Sequence, residues 1–254
     1  MSPLLECTGL SVRFGGVVAV DDVSLSIEGG GEVVGLIGPN GSGKSTFLNA
    51  VSGLVPAQGR VEVEGKSVPL GRPGAIAKFG VFRTYQTPQV DAMATCIENV
   101  LVSSPDTAYR GMLGSWPLRP AMWRREKLRW QKASDALQRV GLYERANQLA
   151  AGLSYGERRR LEIARALVAE PRLLLMDEPA AGLNTSETTR LAELLSSVTK
   201  DGISLIVIEH KIAFIETLCH RLVVLELGRQ IATGPPKEVW LDPAVMNAYL
   251  GEAV

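Results

Sequence analysis

Short, uninterrupted apolar runs predict strands that are buried on both faces. These runs are "VVGLIG" (Val33 to Gly38), "LLLM" (Leu173 to Met176) and "SLIVI" (Ser204 to Ile208). Segments with helical character lie between them: "STFLNAVSGL", the stretch from Leu161 to Val168, and Glu187 to Lys200. Because strands alternate with helices, the pattern predicts an α/β fold with a parallel sheet.

Apolar and polar residues alternate at the N terminus, which predicts strands of a different kind. "SVRFGGVVAVDDVSLSI" alternates around Gly15 and Gly16, which mark a turn, so a β-rich start is expected. A second β-like patch combines "GRVEVEG" (Gly59 to Gly65) with "FGVFRTYQ" (Phe79 to Gln86). The last 30 residues predict a small strand pair around Gly228 and a short closing helix.

The stretch from Thr87 to Gly152 differs from its surroundings. It contains helix-like segments, the basic run "MWRREKLRWQKA", and Trp116, Trp123 and Trp130. We predict an inserted helical subdomain over residues 87–152 within one domain of residues 1–254. Its exposed apolar residues are candidates for contact with another protein, although the tryptophans could fill the subdomain's own core instead.

Charge and composition narrow the class of partner. Lys and Arg total 27, as do Asp and Glu, so the chain lacks the basic excess of a nucleic-acid-binding protein. The apolar runs fall short of the roughly 20 residues that span a bilayer, and "MSPLLECTGL" does not have the pattern of a secretory signal. The three cysteines, Cys7, Cys96 and Cys219, are widely spaced. Their odd number fits a reducing compartment, so a cytoplasmic location is expected.

"GPNGSGKST" satisfies the pattern G-x-x-x-x-G-K-[ST], follows a predicted buried strand and opens a predicted helix. In such a loop, backbone N–H groups surround an anion, Lys44 reaches the β- and γ-phosphates, and the Ser45 hydroxyl can bind Mg²⁺. The alternative is a glycine-rich turn with a solvated lysine. The candidate nucleotide contacts are Gly38, Pro39, Asn40, Gly41, Ser42, Gly43, Lys44, Ser45 and Thr46.

Two acidic residues end the second buried strand, in "LLLMDEP". Ligands of open α/β sheets collect at the carboxyl ends of strands. Successive side chains point in different directions, so Asp177 can hold Mg²⁺ through its water shell while Glu178 orients and polarises an attacking water. Alternatively, the two acids only cap the following helix.

The segment "LSYGE" completes an order of motifs that resembles the ATP-binding subunits of ABC transporters. That order is a phosphate loop, "LSYGE", an acidic strand end and then His210. The resemblance covers essentially the whole chain. It implies an α/β P-loop NTPase (RecA-like) core with an N-terminal antiparallel β subdomain and an inserted α-helical subdomain.

The resemblance also assigns roles to individual residues. Ser154 and Gly156 match signature positions that contact the γ-phosphate of ATP held by a second copy. His210 matches a histidine that hydrogen-bonds the γ-phosphate, and Gln86 matches a glutamine that touches Mg²⁺. Phe14 matches the aromatic residue that stacks on adenine, but it could equally belong to the core. His220 has no surrounding motif and is expected to be structural.

The signature departs from the family pattern at two positions. Tyr155 replaces a glycine and Glu157 replaces a glutamine, which puts the strength of ATP binding across a dimer in question. Arg158, Arg159 and Arg160 crowd the start of the predicted helix, where the helix dipole favours an anion such as phosphate. Three successive residues cannot all point at one site, so at least one of them is expected on a solvated face.

Several stretches are similar to ATP-binding subunits of branched-chain amino-acid importers, including "RFGGVVAVDDVSL", "MDEPAAGLN" (in which Asn184 replaces a common aspartate) and "NAYLGE". Urea or amide importers and lipopolysaccharide-export ATPases share much of this pattern. The resemblance implies ATP and Mg²⁺, a homodimer or heterodimer of ATPases, membrane permeases, a separate solute-binding protein, and a location on the inner face of the membrane. A soluble ABC ATPase acting on nucleic acid or ribosomes and a non-hydrolysing regulatory module are the alternatives.

Overall fold

The computed structural model describes residues 2–104 and 119–250. They form two compact units. The core unit comprises residues up to 86, residues 172–181 and residues from 188 onward, and the helical unit comprises residues 87–171 and 182–187. Trp116 lies outside the described residues.

A six-stranded sheet forms the centre of the core unit. In spatial order its strands are β10 (Arg229–Gly234), β9 (Arg221–Glu226), β3 (Val33–Ile37), β8 (Ser204–Ile208), β7 (Leu173–Asp177) and β6 (Val81–Thr84). All neighbours pair in parallel except β10 and β9, which form the hairpin predicted around Gly228. Every residue of β3, β7 and β8 is buried. The sequence prediction of doubly covered strands is therefore confirmed.

A second, antiparallel sheet contains the predicted N-terminal strands. Its order is β2 (Val17–Ile27), β1 (Leu5–Phe14), β4 (Gln58–Val63) and β5 (Lys66–Ser67). Leu10 of β1, Val61 of β4 and Leu36 of β3 belong to one hydrophobic cluster, so both sheets share a core. The two segments of the second β-like patch lie in different sheets, because β4 joins this sheet whereas β6 pairs with β7. Alternation of apolar residues predicts a strand but not its partner.

Several helices connect or cover these strands. They are α1 (Lys44–Val51), α5 (Thr185–Lys200), α6 (Ile212–Leu218), α7 (Pro236–Val239) and α8 (Pro243–Leu250). The sequence predicted one closing helix, but two are present. Asp242 explains the interruption, because its side chain accepts the N–H of Ala244 at 2.8 Å and so starts α8 afresh, with Pro243 at the first helical position.

The helical unit contains α2 (Cys96–Val102), α3 (Arg119–Arg139) and α4 (Tyr155–Leu167). Thr95 and Glu98 form a capping box at the start of α2. Trp123 and Trp130 on α3 are exposed, so they do not fill the core of this unit. Trp130 donates its indole N–H to Glu126 at 3.0 Å.

Candidate active site

The loop after β3 has a backbone that only glycine can adopt at its two ends. Gly38 has a φ of 144°, and a Cβ there would lie 2.0 Å from the carbonyl oxygen of Leu225. Gly43 has a φ of 100°, and a Cβ there would lie 2.3 Å from the carbonyl oxygen of Ala19. The glycines therefore let the loop pack tightly on neighbouring strands and turn directly into α1.

Lys44 is buried in the centre of this loop. Its Nζ donates to the carbonyl oxygens of Gly38 at 2.7 Å and Pro39 at 2.6 Å, and to Ser42 Oγ at 3.2 Å. The loop thus carries a fixed positive charge at the N-terminal end of α1, where an anion is already favoured.

The side chain of Asp177 extends from the end of β7 toward the loop. Ser45 Oγ donates to Asp177 Oδ1 at 3.3 Å, and Arg83 Nη2 donates to Asp177 Oδ2 at 3.0 Å. Arg83 also binds Asn49 Oδ1 at 2.7 Å. The hydroxyl of Ser45 and the carboxylate of Asp177 are hard oxygen donors side by side, which fits the ligand preference of Mg²⁺.

Glu178 is held between two of the residues that the resemblance selected. Its Oε1 lies 3.1 Å from His210 Nε2, and its Oε2 accepts a hydrogen bond from Gln86 Nε2 at 2.9 Å. The structure thus brings Glu178, Gln86 and His210 together. Gln86, which was predicted to touch Mg²⁺, contacts Glu178 in this structure.

The backbone of Glu178 adopts a left-handed conformation with a φ of 47°. Such a conformation costs a residue other than glycine about 1–3 kcal/mol and persists only where the surroundings enforce it. The N–H of Glu178 donates to the carbonyl oxygen of Ile208 at 2.9 Å, which holds this turn against the end of β8.

Sequence reasoning did not identify Arg83 or Glu209. Glu209 is buried and accepts backbone N–H groups from Ala180 at 2.7 Å, His210 at 3.0 Å and Lys211 at 3.4 Å. Arg83 and Asp177 stand 94 residues apart in sequence. Neither residue carried a local motif that could have revealed its contacts.

Phe14 and His220 resolve two alternatives left open by the sequence. Phe14 at the end of β1 is 49% exposed, so it is not a core residue and its ring can meet a ligand. His220 Nδ1 accepts the N–H of Val33 at 3.0 Å. This bond ties His220 to the first residue of β3, in keeping with the structural role expected for it.

The signature segment begins α4 in the helical unit. Ser154 is the N-cap residue, and its Oγ accepts the N–H of Glu157 at 3.3 Å while Glu157 Oε2 accepts the N–H of Ser154 at 2.9 Å. Partial desolvation works to raise the pKa of Glu157, but the hydrogen bonds with Ser154 and the positive charges of Arg145 and Arg160 outweigh it and hold the pKa below its usual value. Since glutamine can also complete such a box, Glu157 preserves this local structure.

Tyr155 and Asn184, the other residues that depart from the family pattern, also contact neighbours within the helical unit. A Cβ on Gly182 would lie 3.1 Å from the ring of Tyr155, so Tyr155 packs on the loop that precedes α5. A Cβ on Gly156 would meet Glu187 Oε1 at 2.7 Å. Asn184 starts α5, since its Oδ1 accepts the N–H of Glu187 at 3.0 Å.

The three arginines that follow the signature are engaged inside the helical unit. Arg158 Nε donates to the carbonyl oxygen of Leu153 at 3.0 Å, and Arg160 Nη1 donates to that of Val140 at 2.9 Å. Arg159 is fully buried, and its Nη1 lies 2.8 Å from Glu162 Oε2. The interpretation of the cluster as a phosphate site is therefore wrong for Arg159, because a fully buried guanidinium paired with a carboxylate cannot meet an external anion.

Comparison with known proteins defines the class. The ABC transporter family matches residues 20–181, more than half of the chain. The chain therefore belongs to the ABC transporter family. Solved relatives agree: the ADP conformation of MJ1267, an ATP-binding cassette of an ABC transporter, has a TM-score of 0.83 at 32% identity and covers 99% of this chain and 100% of its own.

Relatives of known name place the chain more narrowly. It is 40% identical to the high-affinity branched-chain amino acid transport ATP-binding protein LivG of Salmonella typhimurium and 39% identical to BraF, of the same description, from Pseudomonas aeruginosa. Each alignment covers 99% of both chains. The dimeric post-hydrolysis structure of the cassette MJ0796, bound to ADP and Pi, has a TM-score of 0.72 at 25% identity and covers 91% of this chain and 98% of its own.

These findings confirm the predicted fold class and family. The described ranges, residues 2–104 and 119–250, contain no helix with the length and apolar character that crossing a membrane requires.

Proposed function

We propose that this chain is the ATP-hydrolysing subunit of an importer of branched-chain amino acids. The observation that supports hydrolysis is the position of Glu178, whose carboxylate is shared by Gln86 and His210 at the end of the strand that also carries Asp177. Similarity over the full chain to LivG and BraF supports the choice of solute.

Different residues bind the phosphates, the Mg²⁺ ion and the adenine of ATP. The loop from Gly38 to Thr46 binds the phosphates through backbone N–H groups and the charge of Lys44. Ser45, Asp177 and Gln86 would hold Mg²⁺, which neutralises phosphate charge when it is bound. Phe14 stacks on adenine through its exposed ring.

Glu178 and His210 act on the attacking water. The carboxylate of Glu178 accepts a hydrogen bond from this water and takes up its proton as the water oxygen bonds to the γ-phosphorus, while the bond from that phosphorus to the β–γ bridging oxygen breaks and ADP leaves. His210 donates to the γ-phosphate, and its ring lies beside the base, with Nε2 3.1 Å from Glu178 Oε1. Replacing Glu178 by glutamine therefore removes the base while leaving the phosphate loop unchanged.

The assembly we propose contains two ATPase subunits and a membrane channel. Ser154 and Gly156 of one copy contact the γ-phosphate of ATP bound to the other, which is either an identical chain or a related ATPase. The dimeric structure of MJ0796 bound to ADP and Pi supports the pairing of two ATPase copies. Permease subunits would place the chain on the cytoplasmic face of the membrane and receive solute from a separate binding protein, and exposed Met93 and Trp123 of the helical unit are candidate contacts with them.

Affinity capture tests this proposal. The Glu178→Gln variant is expressed in its source cells, captured from gently solubilised membranes with Mg-ATP, and compared with Lys44→Ala, which should lose ATP. We expect Glu178→Gln to retain two polytopic membrane proteins. Recovery of soluble partners or RNA alone would refute the transporter assignment.

Uptake measurements then test the solute. Cells lacking the chain should lose uptake of radiolabelled leucine, isoleucine and valine, and the wild-type chain but not Glu178→Gln should restore it. Loss of urea or amide uptake instead, or a defect in lipopolysaccharide export, would assign the chain to one of the related transporters.

A further inference from the structure

The contact between Glu178 and His210 cannot by itself hold the two side chains in a fixed geometry. The side chains of Glu178 and His210 are 25% and 39% exposed, and ion pairs or hydrogen bonds that water can reach hold a geometry only weakly. The two residues also sit on different loops, one after β7 and one after β8. The pairing of β7 with β8 fixes where these loops begin, but the path of each loop beyond its strand needs a further contact.

Glu209 makes that connection through its buried carboxylate. Oε1 accepts the N–H of Ala180, two residues after Glu178, at 2.7 Å. Oε2 accepts the N–H groups of His210 at 3.0 Å and Lys211 at 3.4 Å. Each oxygen thus serves one loop. Glu209 is only 4% exposed, so these charge-assisted bonds are shielded from competing water.

The bond between Glu209 and Ala180 helps to hold Glu178 in its left-handed backbone conformation. A φ of 47° is unfavourable for glutamate and must be held from both sides. The bond from the Glu178 N–H to the carbonyl oxygen of Ile208 fixes the residue from the side of β8, and the bond from Ala180 to Glu209 fixes the chain that follows.

Lys211 adds a second tie between the same loops. Its Nζ donates to the carbonyl oxygen of Ala180 at 2.8 Å and to Thr188 Oγ1 at 3.1 Å. The peptide groups of Ala180 are therefore bound at both ends, the N–H by Glu209 and the carbonyl by Lys211.

We propose that Glu209 is a positioning residue of the ATPase site, which holds the loop of Glu178 and the loop of His210 in the geometry needed for hydrolysis. This inference rests on the proposed ATP hydrolysis by Glu178. The buried Glu209 does not reach the nucleotide or the attacking water, so it acts through the two residues that it aligns.

The test uses Glu209→Gln in the full-length chain. A glutamine has the same shape but replaces one acceptor oxygen with an NH₂ group, so one of the two loops loses its bond whichever way the amide is turned. We expect kcat for ATP to fall about 10- to 100-fold, the range expected when reacting groups are misplaced by about 1 Å. The KM for ATP should stay within about twofold, because the phosphate loop is unchanged.

Two comparisons separate positioning from general damage to the fold. Glu216→Gln, the same exchange at an exposed site on α6, should leave kcat unchanged. Adding Glu209→Gln to Glu178→Gln should lower kcat by less than about twofold beyond Glu178→Gln alone, because the base that Glu209 positions is already absent and residues that act through one another are not additive. If Glu209→Gln does not fold, Lys211→Met, which removes only the second tie, should show a smaller loss of kcat at constant KM.

The outcomes distinguish this inference from the proposed function. Near-normal turnover in Glu178→Gln would overturn the proposed hydrolysis itself. An inactive Glu178→Gln beside a fully active Glu209→Gln would overturn only the role of Glu209. So would an additive double variant, or a rise in the KM for ATP in Glu209→Gln as large as its loss of kcat.

Discussion

Removing one partner of the buried ion pair between Arg83 and Asp177 should strongly destabilise the core unit in the absence of nucleotide. The two side chains are 7% and 10% exposed, and Arg83 Nη2 lies 3.0 Å from Asp177 Oδ2. Arg83 also donates to Asn49 and lies over the ring of Tyr85, with 5.3 Å between its guanidinium carbon and the ring centroid. Replacing Arg83 by methionine keeps much of its volume but leaves the carboxylate of Asp177 buried without its cation.

The expected loss of stability follows from the buried carboxylate of Asp177, which is left without its cation. Removing one partner of a buried pair costs about 3–5 kcal/mol, because the remaining charge has lost water and gained nothing in return. Replacing both charged partners is much less harmful. We therefore expect Arg83→Met to lose about 3–5 kcal/mol of unfolding free energy, and addition of Asp177→Asn to that variant to recover at least about 2 kcal/mol.

Urea unfolding followed by tryptophan fluorescence measures both values, with EDTA present and nucleotide removed. Arg60→Met is a matched control, since Arg60 is 69% exposed and lies 3.6 Å from Glu62, and exposed pairs contribute little. A loss below about 1 kcal/mol in Arg83→Met, or no recovery in the double variant, would show that the pair does not carry the stability assigned to it.

Three further predictions concern the signature helix, the phosphate loop and the thiols. Glu157→Gln should keep the capping box, whereas Glu157→Ala should lower thermal stability. Because the pKa of Glu157 is lowered in the fold, the stability that its carboxylate contributes is present above about pH 4.3 and is lost as pH falls through the folded pKa. Melting temperatures measured at pH 3–7 would show this loss. Gly43→Ala should destabilise the nucleotide-free protein more than Gly41→Ala, since both glycines have positive φ but only at Gly43 would a Cβ meet a backbone oxygen, at 2.3 Å; differential scanning calorimetry compares them. Burial raises the pKa of Cys219 to about 12, so its thiol should react with Ellman's reagent only after unfolding in urea, and fast reaction in the native protein would contradict its burial.

The sequence predicted those parts of the protein that are determined locally. The strand, phosphate loop and helix around Lys44 follow from a few adjacent residues, and the burial of β3, β7 and β8 follows from their apolar runs. The capping box at Ser154 was not predicted, although its S-x-x-E pattern is local and starts a helix by satisfying its first N–H groups.

The missed features depend on residues far apart in the chain. Arg83 looked like one polar residue in a β-like patch, and only the pairing of β6 with β7 places it beside Asp177. Glu209 looked like an acid at a strand end, and only the neighbouring loop supplies the N–H of Ala180. Arg159 was misjudged for a different reason: its partner Glu162 is close in sequence, on the same helix, but the complete burial of Arg159 follows from packing within the helical unit.

The two departures in the signature have different physical consequences. Glu157 performs a task that glutamine can also perform, since either side chain can accept the N–H of Ser154, so this change leaves the start of α4 as it was. Tyr155 is not equivalent to glycine, because its ring packs on Gly182 and its hydroxyl lies 3.5 Å from Arg159 Nη2. The residue therefore links the signature to the loop before α5, a link that a glycine could not make. If the signature binds ATP held by a second copy, this loop should respond to that binding through Tyr155.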